Sequence, residues 1–189
     1  DPSDYMLSTE RDVHQMFERV VALSESLDAW YLRALFRAFW EDGAFTSQFK
    51  KAPAAKKMHH AYIGGLLEHT LSMAVMADKI AGHYNGIDRD ILVSGALLHD
   101  IGKTREFRYE LGIEYSDEGR LVNHIVIGIQ MIEEKFLTYL RRLVYSLEHS
   151  TPQHFAVEGH LPVGFKVDEM IKIFQQSKFE KIPLVQAIL

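Results

Sequence analysis

The sequence predicts an all-α domain, a helical bundle that contains at most one short β-hairpin. Apolar residues recur every three or four positions through most of the 189-residue chain, as on one face of an α-helix. Aspartate or threonine precedes several of these segments, and such residues favour the beginning of a helix. One segment, residues 106–119, alternates apolar and polar residues as a pair of strands does.

Two helices are predicted in the first quarter of the chain. Thr9 and Asp12 can cap a helix whose apolar positions recur from Val13 onward. Asp28 precedes the segment AWYLRALFRAFWEDG, and Gly43 is a suitable C-terminal stop for this second helix. The segment FKKAPAAKKMHH carries four lysines around a proline and predicts a solvated connector without regular structure.

The remaining elements follow the same pattern. Residues 62–83 carry apolar side chains at helical spacing, and Asp88 can cap the next helix, RDILVSGALLHD. The segment EFRYELGIEYSDEG contains a Leu-Gly turn and predicts the short hairpin. Further helices are expected at 121–136, at 138–149 and, after a loop through Gly164, near 167–177.

The composition excludes several classes of protein. Hydrophobic residues make up 47% and charged residues 25%, which is ordinary for a soluble globular domain. The chain lacks an apolar run of the roughly 18 to 20 residues that span a bilayer, so we expect a soluble, cytoplasmic protein without a membrane partner. A formal net charge of −5 argues against coating nucleic acid by bulk electrostatics. Without cysteine, any metal must take nitrogen and oxygen ligands.

Histidines and one aspartate recur at a spacing that can bring them together. The gaps from His69 to His99, from Asp100 to His124 and from His124 to His149 are 30, 24 and 25 residues. Each gap is about one helix plus its connection, so each group can lie on a different helix and face a shared interior, where bundles build metal sites. A single histidine on an apolar face is more often a hydrogen-bonded core or surface residue. The adjacent His-Asp pair modestly favours a metal site.

Lys103 adds a cation beside this pair. An ammonium three residues after Asp100 is suited to a phosphate oxygen. A metal ion activates water and polarises a phosphoryl group while a lysine steadies the developing charge, so the combination indicates phosphoester hydrolysis. The alternative is an exposed lysine that satisfies carbonyls at a helix end.

The segments LLEHT and LLHDIGK resemble the HD-domain metal-dependent phosphohydrolase superfamily, named for its His-Asp pair. The longer segments PAAKKMHHAYIGGLLEHTLSMA and HDIGKTREFRYELGIEYSDEGRLVNHIVIG are similar to the HD domain of bacterial YhaM-type 3′-to-5′ exoribonucleases. The resemblance runs from about residue 53 to residue 128. It implies an all-α HD fold with a divalent metal ion, manganese first, with magnesium, iron, nickel and zinc as alternatives.

The resemblance also implies roles for individual residues. His69, His99 and Asp100 would be metal ligands. His124 and His149 would bind a second metal or the phosphate, and Lys103 would orient the substrate. Asp100, Lys103, His124 and His149 would therefore carry catalysis.

The resemblance implies a division of the chain as well. Residues 1–52 would form N-terminal helices and a linker that pack on an HD domain at 53–189. The family carries an OB-fold that binds nucleic acid ahead of the HD domain, and we expect that this chain, which begins at Asp1, was cut from a longer protein and lacks it.

Two positions depart from the family pattern near the C-terminus. The family block SHHG is LEHS here, so Glu148 replaces its first histidine. Gln176 stands where the family carries an aspartate on the last helix, and Asp168 lies eight residues earlier. An amide oxygen is a poorer ligand than a carboxylate, which predicts an attenuated enzyme.

Three functions remain open from the sequence. The first is a phosphodiesterase, a 3′-to-5′ exonuclease that acts on single-stranded RNA or DNA. The second is hydrolysis of a small nucleotide. The third is a catalytically weakened HD module that binds nucleotide or a protein partner. In the first case, candidate backbone contacts are Lys56, Lys57, Arg105, Arg108 and Arg120, and His59 and His60 could line the approach.

Overall fold

The computed structural model describes residues 6–57, 60–109 and 112–149, and it describes side chains as far as residue 139. The prediction of an all-α domain with one short hairpin is confirmed. The predicted helix at 167–177 lies outside the described residues. In chain order the elements are α1 (Val13–Glu25), α2 (Trp30–Trp40), α3 (Gly43–Lys51), α4 (Gly65–His83), α5 (Arg89–Leu98), α6 (Lys103–Glu106), β1 (Phe107–Arg108), β2 (Glu114–Tyr115) and α7 (Asp117–His149).

The first helix is capped by only one of the two residues predicted for this role. Asp12 alone caps α1, because its Oδ1 accepts hydrogen bonds from the backbone N–H groups of His14 and Gln15. Thr9 was predicted to share this role. Its hydroxyl instead donates to Oε2 of Glu68 over a distance of 2.7 Å, and this bond ties the N-terminal segment to α4.

Gly43 begins a helix rather than ending one. This helix continues to Lys51, so the predicted connector, which begins at Phe49, starts too early. The Asp42 carboxylate accepts from the N–H groups of Ala44 and Phe45 and thereby caps α3. Phe45 and Phe49 lie on the buried face of α3, with their rings stacked at 5.5 Å between centroids. Burial of these two rings stabilises a helix that the local sequence leaves ambiguous, by about 1.5 to 3 kcal/mol per side chain.

The predicted boundary between two helices near residue 137 is wrong. The helix α7 continues through it and is interrupted instead at Asn123, which has φ 68° and ψ 154°. Asparagine tolerates positive φ better than most residues, and its Oδ1 accepts a hydrogen bond from the N–H of Ile125. Asn123 therefore ends one helical segment and caps the next, directly before His124.

The middle of the chain follows the predictions closely. Asp88 caps α5 by accepting a hydrogen bond from the N–H of Ile91. The strands β1 and β2 pair antiparallel, with Phe107 opposite Tyr115 and their rings 5.2 Å apart between centroids. The hairpin lies between α6 and α7 in the chain, so it connects the two elements that follow the His-Asp pair.

One hydrophobic core extends from α1 to α7. Trp40 lies at its edge, stacks on Phe36 at 5.8 Å and donates its indole N–H to the buried Ser24 hydroxyl. Within the described ranges, every helix is too short or too polar to cross a membrane. The largest fully buried side chains are Phe36, Phe39, Phe49, Leu27, Leu66, Leu67, Leu97, Leu98, Ile101, Ile127, Val20 and Val93.

Candidate metal centre

Three side chains predicted as metal ligands lie together between α4 and the end of α5. His69 is on the second turn of α4, and His99 and Asp100 follow the last residue of α5. The Nε2 atoms of His69 and His99 are 3.2 Å apart, and they lie 3.4 Å and 3.2 Å from Oδ2 of Asp100. These three groups can converge on one metal ion.

The hydrogen bonds around His99 leave an electron pair directed at this cluster. Nδ1 of His99 lies 2.9 Å from the Ala96 carbonyl oxygen, which can only accept a hydrogen bond. In the neutral ring Nδ1 therefore carries the proton, and Nε2 of that form has a lone pair beside Oδ2 of Asp100. Such a set of nitrogen and oxygen donors fits a divalent cation.

Asp100 is ionised in this environment. Burial alone would favour the neutral acid, since its side chain is 6% exposed, but hydrogen bonds from the protonated form of His99 and from Lys103 outweigh burial. Together with the charges of those two groups, they hold the pKa of Asp100 well below its usual range. The site therefore presents a carboxylate at neutral pH.

The two histidines differ in how readily they hold a proton. Burial lowers the pKa of His69 and outweighs the attraction of Asp100, so His69 is neutral and able to ligate a metal at neutral pH. Burial acts on His99 in the same direction. There, however, the hydrogen bonds and charge of Asp100 and the Ala96 carbonyl have the larger combined effect and raise the pKa.

Lys103 lies at the cluster, as predicted, but it is not free. Its Nζ is 2.7 Å from Oδ2 of Asp100, the same oxygen that both histidines approach. Lys103 is the first residue of α6 and follows Gly102, which packs against the carbonyl oxygen of His124. A Cβ at Gly102 would lie 2.0 Å from that oxygen, so glycine permits the close approach of α7 to the His-Asp turn.

His124 reaches the same aspartate from the opposite side. Its Nε2 lies 3.5 Å from Oδ1 of Asp100, whereas the other cluster members approach Oδ2. Its partner is Glu106, which the sequence analysis did not single out. Oε1 of Glu106 lies 3.0 Å from Nδ1 of His124 and accepts from its backbone N–H at 3.1 Å. Glu106 is buried at the end of α6. An acidic residue next to a predicted strand carries no local signal of such a role.

A chain of hydrogen bonds supports the rim of the site next to His69. The Tyr62 hydroxyl donates to Oε2 of Glu68 at 3.0 Å and lies 2.8 Å from Nδ1 of His60. The His60 ring is 5.5 Å from the His69 ring between centroids, and His60 adopts a positive φ of 57°. Arg11 also pairs with Glu68 at 3.2 Å. His60 is thus near the cluster, as the sequence suggested.

Several candidate contacts for a nucleic-acid backbone are paired with carboxylates. Lys56 pairs with Glu114, and Arg105 forms two hydrogen bonds with Glu118. Arg108 lies 3.4 Å from Asp117. The structure describes only the backbone for Glu148 and His149, in the last turn of α7, and three other predicted positions, His59, Asp168 and Gln176, lie outside the described residues.

The helical bundle and its cluster of two histidines and an aspartate define a class of proteins that bind a divalent metal between helices. Comparison with known families identifies it: the HD domain matches residues 66–163, more than half of the chain, and the chain belongs to this family. A second family, described as a putative helicase, matches residues 2–85, less than half of the chain. No solved structure matches the chain.

Curated relatives with a named activity match the central region. The 3′-5′ exoribonuclease YhaM of Bacillus velezensis is 41% identical over 85 residues, which are 45% of this chain and 27% of the relative. The Bacillus subtilis protein of the same name is 42% identical over 83 residues, 44% of this chain and 26% of the relative. The Listeria monocytogenes protein is 34% identical over 102 residues, 54% and 31% of the two chains. The predicted resemblance is confirmed, and together with the HD domain it supports a hydrolase that uses a divalent metal.

Proposed function

We propose that this chain is a metal-dependent phosphodiesterase that removes nucleotides from the 3′ ends of single-stranded RNA or DNA. The observation that carries the proposal is the convergence of His69 Nε2, His99 Nε2 and Asp100 Oδ2 within 3.4 Å of one another. The names of the exoribonuclease relatives support the choice of substrate. The matched region covers only part of this chain and of each relative.

The three converging atoms would hold a divalent metal ion, for which we propose manganese. The ion, when bound, activates water and polarises the phosphoryl group. His124 and His149 would bind a second ion or a phosphate oxygen. Of these two histidines, only His124 has a described side chain. It lies beside Oδ1 of Asp100, whereas His69 and His99 approach Oδ2.

Lys103 would orient the substrate by binding a phosphate oxygen next to the metal. Its ammonium already lies within hydrogen-bonding distance of Asp100, so a small displacement brings it to an anion on the same side. An ammonium is a compact point charge suited to a phosphate oxygen. Asp100, Lys103, His124 and His149 remain our proposed catalytic residues.

We also retain the proposed division of the chain into N-terminal helices at 1–52 and an HD domain at 53–189. The core residues Met16 and Val20 of α1 belong to the same buried cluster as Leu71 and Ala74 of α4. The N-terminal helices would therefore support the HD domain mechanically, by packing against the helix that carries His69.

Hydrolysis of a small nucleotide is the second candidate function. Three of the predicted backbone contacts, Lys56, Arg105 and Arg108, are paired with carboxylates and offer less charge to a polynucleotide than the sequence suggests. A small substrate would need the metal, Lys103 and His124 and little else. Product analysis separates the two candidates.

The test combines metal binding with a substrate panel. The metal-free protein is titrated with Mn²⁺ in a calorimeter, and the loaded protein is assayed on a 5′-labelled single-stranded RNA, on the DNA of the same sequence and on nucleoside monophosphates. We expect shortening of both strands by one nucleotide at a time, and activity that falls steeply with salt as phosphate contacts release counterions. Hydrolysis of monophosphates without shortening would move the assignment to the second function.

The Asp100→Asn variant provides the comparison, and Asp78→Asn on the remote part of α4 provides its control. Asp100→Asn should bind Mn²⁺ at least about tenfold more weakly, because it removes the carboxylate charge from the cluster, which corresponds to about 1.4 kcal/mol. Asp78→Asn should bind like the parent. Equal Mn²⁺ affinity in Asp100→Asn and the parent would contradict the proposed site.

A further inference from the structure

Glu106 is a buried carboxylate to which the proposed reaction assigns no role. Its side chain is 4% exposed, and it lies between α6 and the start of α7. Burial of an ionised carboxylate costs several kcal/mol unless hydrogen bonds or opposite charges compensate for it. The hydrogen bonds that compensate for the burial of Glu106 should therefore indicate its role.

Both hydrogen bonds of Glu106 Oε1 go to one residue. This oxygen accepts from the backbone N–H of His124 at 3.1 Å and lies 3.0 Å from Nδ1 of the same ring. The backbone N–H belongs to the residue directly after the break at Asn123, where a new helical segment begins, and the first N–H groups of a helical segment need partners from outside it. Glu106 therefore caps the second segment of α7 and holds its first side chain at the same time.

The contact with Nδ1 fixes the ring of His124 in one tautomer. A carboxylate can only accept a hydrogen bond, so Nδ1 carries the proton and Nε2 of the neutral ring carries the lone pair. Nε2 lies 3.5 Å from Oδ1 of Asp100. A lone pair and a carboxylate oxygen that face each other repel, unless a cation or a proton lies between them.

The surrounding backbone is adapted to this arrangement. A Cβ at Gly119 would lie 2.3 Å from the carbonyl oxygen of Glu106 and 2.9 Å from its Cγ, so α7 packs directly on the glutamate. Asn123 accepts a positive φ immediately before His124. The strained residue and the close packing fix both ends of the Glu106–His124 contact.

We propose that Glu106 is a positioning residue, which holds His124 as the Nδ1–H tautomer so that its Nε2 lone pair faces a cation beside Asp100. The inference rests on the proposed function in one respect, because the cation is the second ion that the proposal allows at His124. Histidines that bind metals commonly donate their second ring N–H to a carboxylate, and loss of such a partner typically weakens metal binding by about 10- to 100-fold.

The first measurement uses the metal-free parent protein and needs no variant. Nitrogen chemical shifts of the His124 ring, assigned by comparison with a His124→Gln sample, report which nitrogen carries the proton in the neutral ring. We expect protonated Nδ1 and unprotonated Nε2. A His124 ring protonated at Nε2 in the parent would overturn the proposal, whatever the protein does to RNA.

The second measurement compares Glu106→Gln with Glu106→Met. Glutamine retains an oxygen that can accept both hydrogen bonds, whereas methionine fills a similar volume and accepts neither. We expect Gln to preserve the tautomer and to bind Mn²⁺ within about threefold of the parent. Met should move the proton to Nε2 and weaken Mn²⁺ binding by about 10- to 100-fold. A merely structural role would give equal tautomers and equal Mn²⁺ affinities in the two folded variants, which would contradict the proposal.

The two measurements separate the present inference from the proposed function. If the parent binds no divalent ion, the proposed function fails, while the nitrogen shifts still decide whether Glu106 sets the tautomer. If the parent binds Mn²⁺ and Glu106→Met binds it equally well, the positioning role fails and the proposed function stands. Should Glu106→Met not fold, the tautomer of the parent remains decisive.

Discussion

Lys103 and Asp100 form an ion pair, with Nζ 2.7 Å from Oδ2, at the oxygen that His69 and His99 also approach. The lysine expected to bind substrate therefore shares an oxygen with the proposed metal ligands. A divalent ion at this oxygen would lie close to the ammonium, and the two positive charges would repel each other. Lys103 should therefore weaken binding of the metal ion and strengthen binding of an anionic substrate.

This opposition makes Lys103→Met informative. Removal of the ammonium should tighten Mn²⁺ binding by roughly tenfold, or about 1.4 kcal/mol. Hydrolysis should fall by at least about 100-fold, because a cation that stabilises the developing charge is lost. Calorimetry and a single-turnover assay measure the two effects. The control is Lys79→Met, which removes an exposed lysine on α4. Weaker Mn²⁺ binding in Lys103→Met than in the parent would refute the interpretation.

Two glycines near the end of α5 should respond oppositely to alanine. A Cβ at Gly102 would lie 2.0 Å from the His124 carbonyl oxygen, so Gly102→Ala should cost at least about 2 kcal/mol of unfolding free energy. A Cβ at Gly95 would meet no described atom within 4 Å outside its neighbouring residues and the backbone of its own helix, and Gly95→Ala should stabilise the helix by about 0.5 to 1 kcal/mol. Urea denaturation of the three proteins measures both effects. Similar stabilities for the two variants would argue against the close packing of α7.

Glu68 should anchor the N-terminal segment. Its carboxylate accepts from the hydroxyls of Thr9 and Tyr62 and pairs with Arg11, so Glu68→Ala should cost about 1 to 3 kcal/mol. Hydrogen exchange locates the loss, because the N–H of Thr9 donates to the carbonyl of Ile63 at 2.9 Å. We expect this amide to exchange faster in Glu68→Ala. In Glu25→Ala, which removes the partner of Arg37, its exchange should stay as in the parent protein.

The Asp42–Lys135 ion pair should make the free energy of unfolding depend on pH. The hydrogen bond from Lys135, joined by two backbone N–H groups, holds the pKa of Asp42 below its usual value. A carboxyl with a depressed pKa stabilises the fold above its unfolded pKa, and this stabilisation is lost as the pH falls through the folded pKa. The pair is partly exposed, so we expect a contribution of only about 0.5 kcal/mol.

Asp42→Asn isolates the charge, since asparagine is also a good helix cap. The variant should lose less unfolding free energy than the parent between about pH 7 and about pH 3, measured by urea denaturation. Identical losses in the two proteins would show that the ion pair contributes nothing.

The sequence was sufficient where a structural feature depends on nearby residues. Asp88 was predicted as a cap because the apolar period of its helix begins directly after it, and the structure shows that cap. Their spacing placed His69, His99, Asp100, His124 and His149 on helices that can share an interior, and the resemblance to the HD superfamily selected the first three as metal ligands. Their convergence needs only that α4 packs on α5, which the apolar faces themselves require.

The sequence was insufficient where distant residues decide between local alternatives. Gly43 fits a helix stop, but Asp42 before it fits a cap, and the burial of Phe49 selects the second alternative. Glu106 has its partner 18 residues later, across a hairpin and a helix break. The position of that break depends on Asn123, whose residue type permits positive φ but does not require it.

The hydrogen bonds that join the N-terminal segment to the start of α4 bear on how the proposed activity could be transferred between proteins. The N–H groups of Gly64 and Leu66 donate to the carbonyls of Lys51 and Ala52, and the first helices bury one side of the helix that carries His69. A gene fragment that began at Pro53 would encode every histidine of the proposed site and leave α4 exposed along that side. Recombination and laboratory fusion alike would then preserve the chemistry only by carrying the first fifty residues with it.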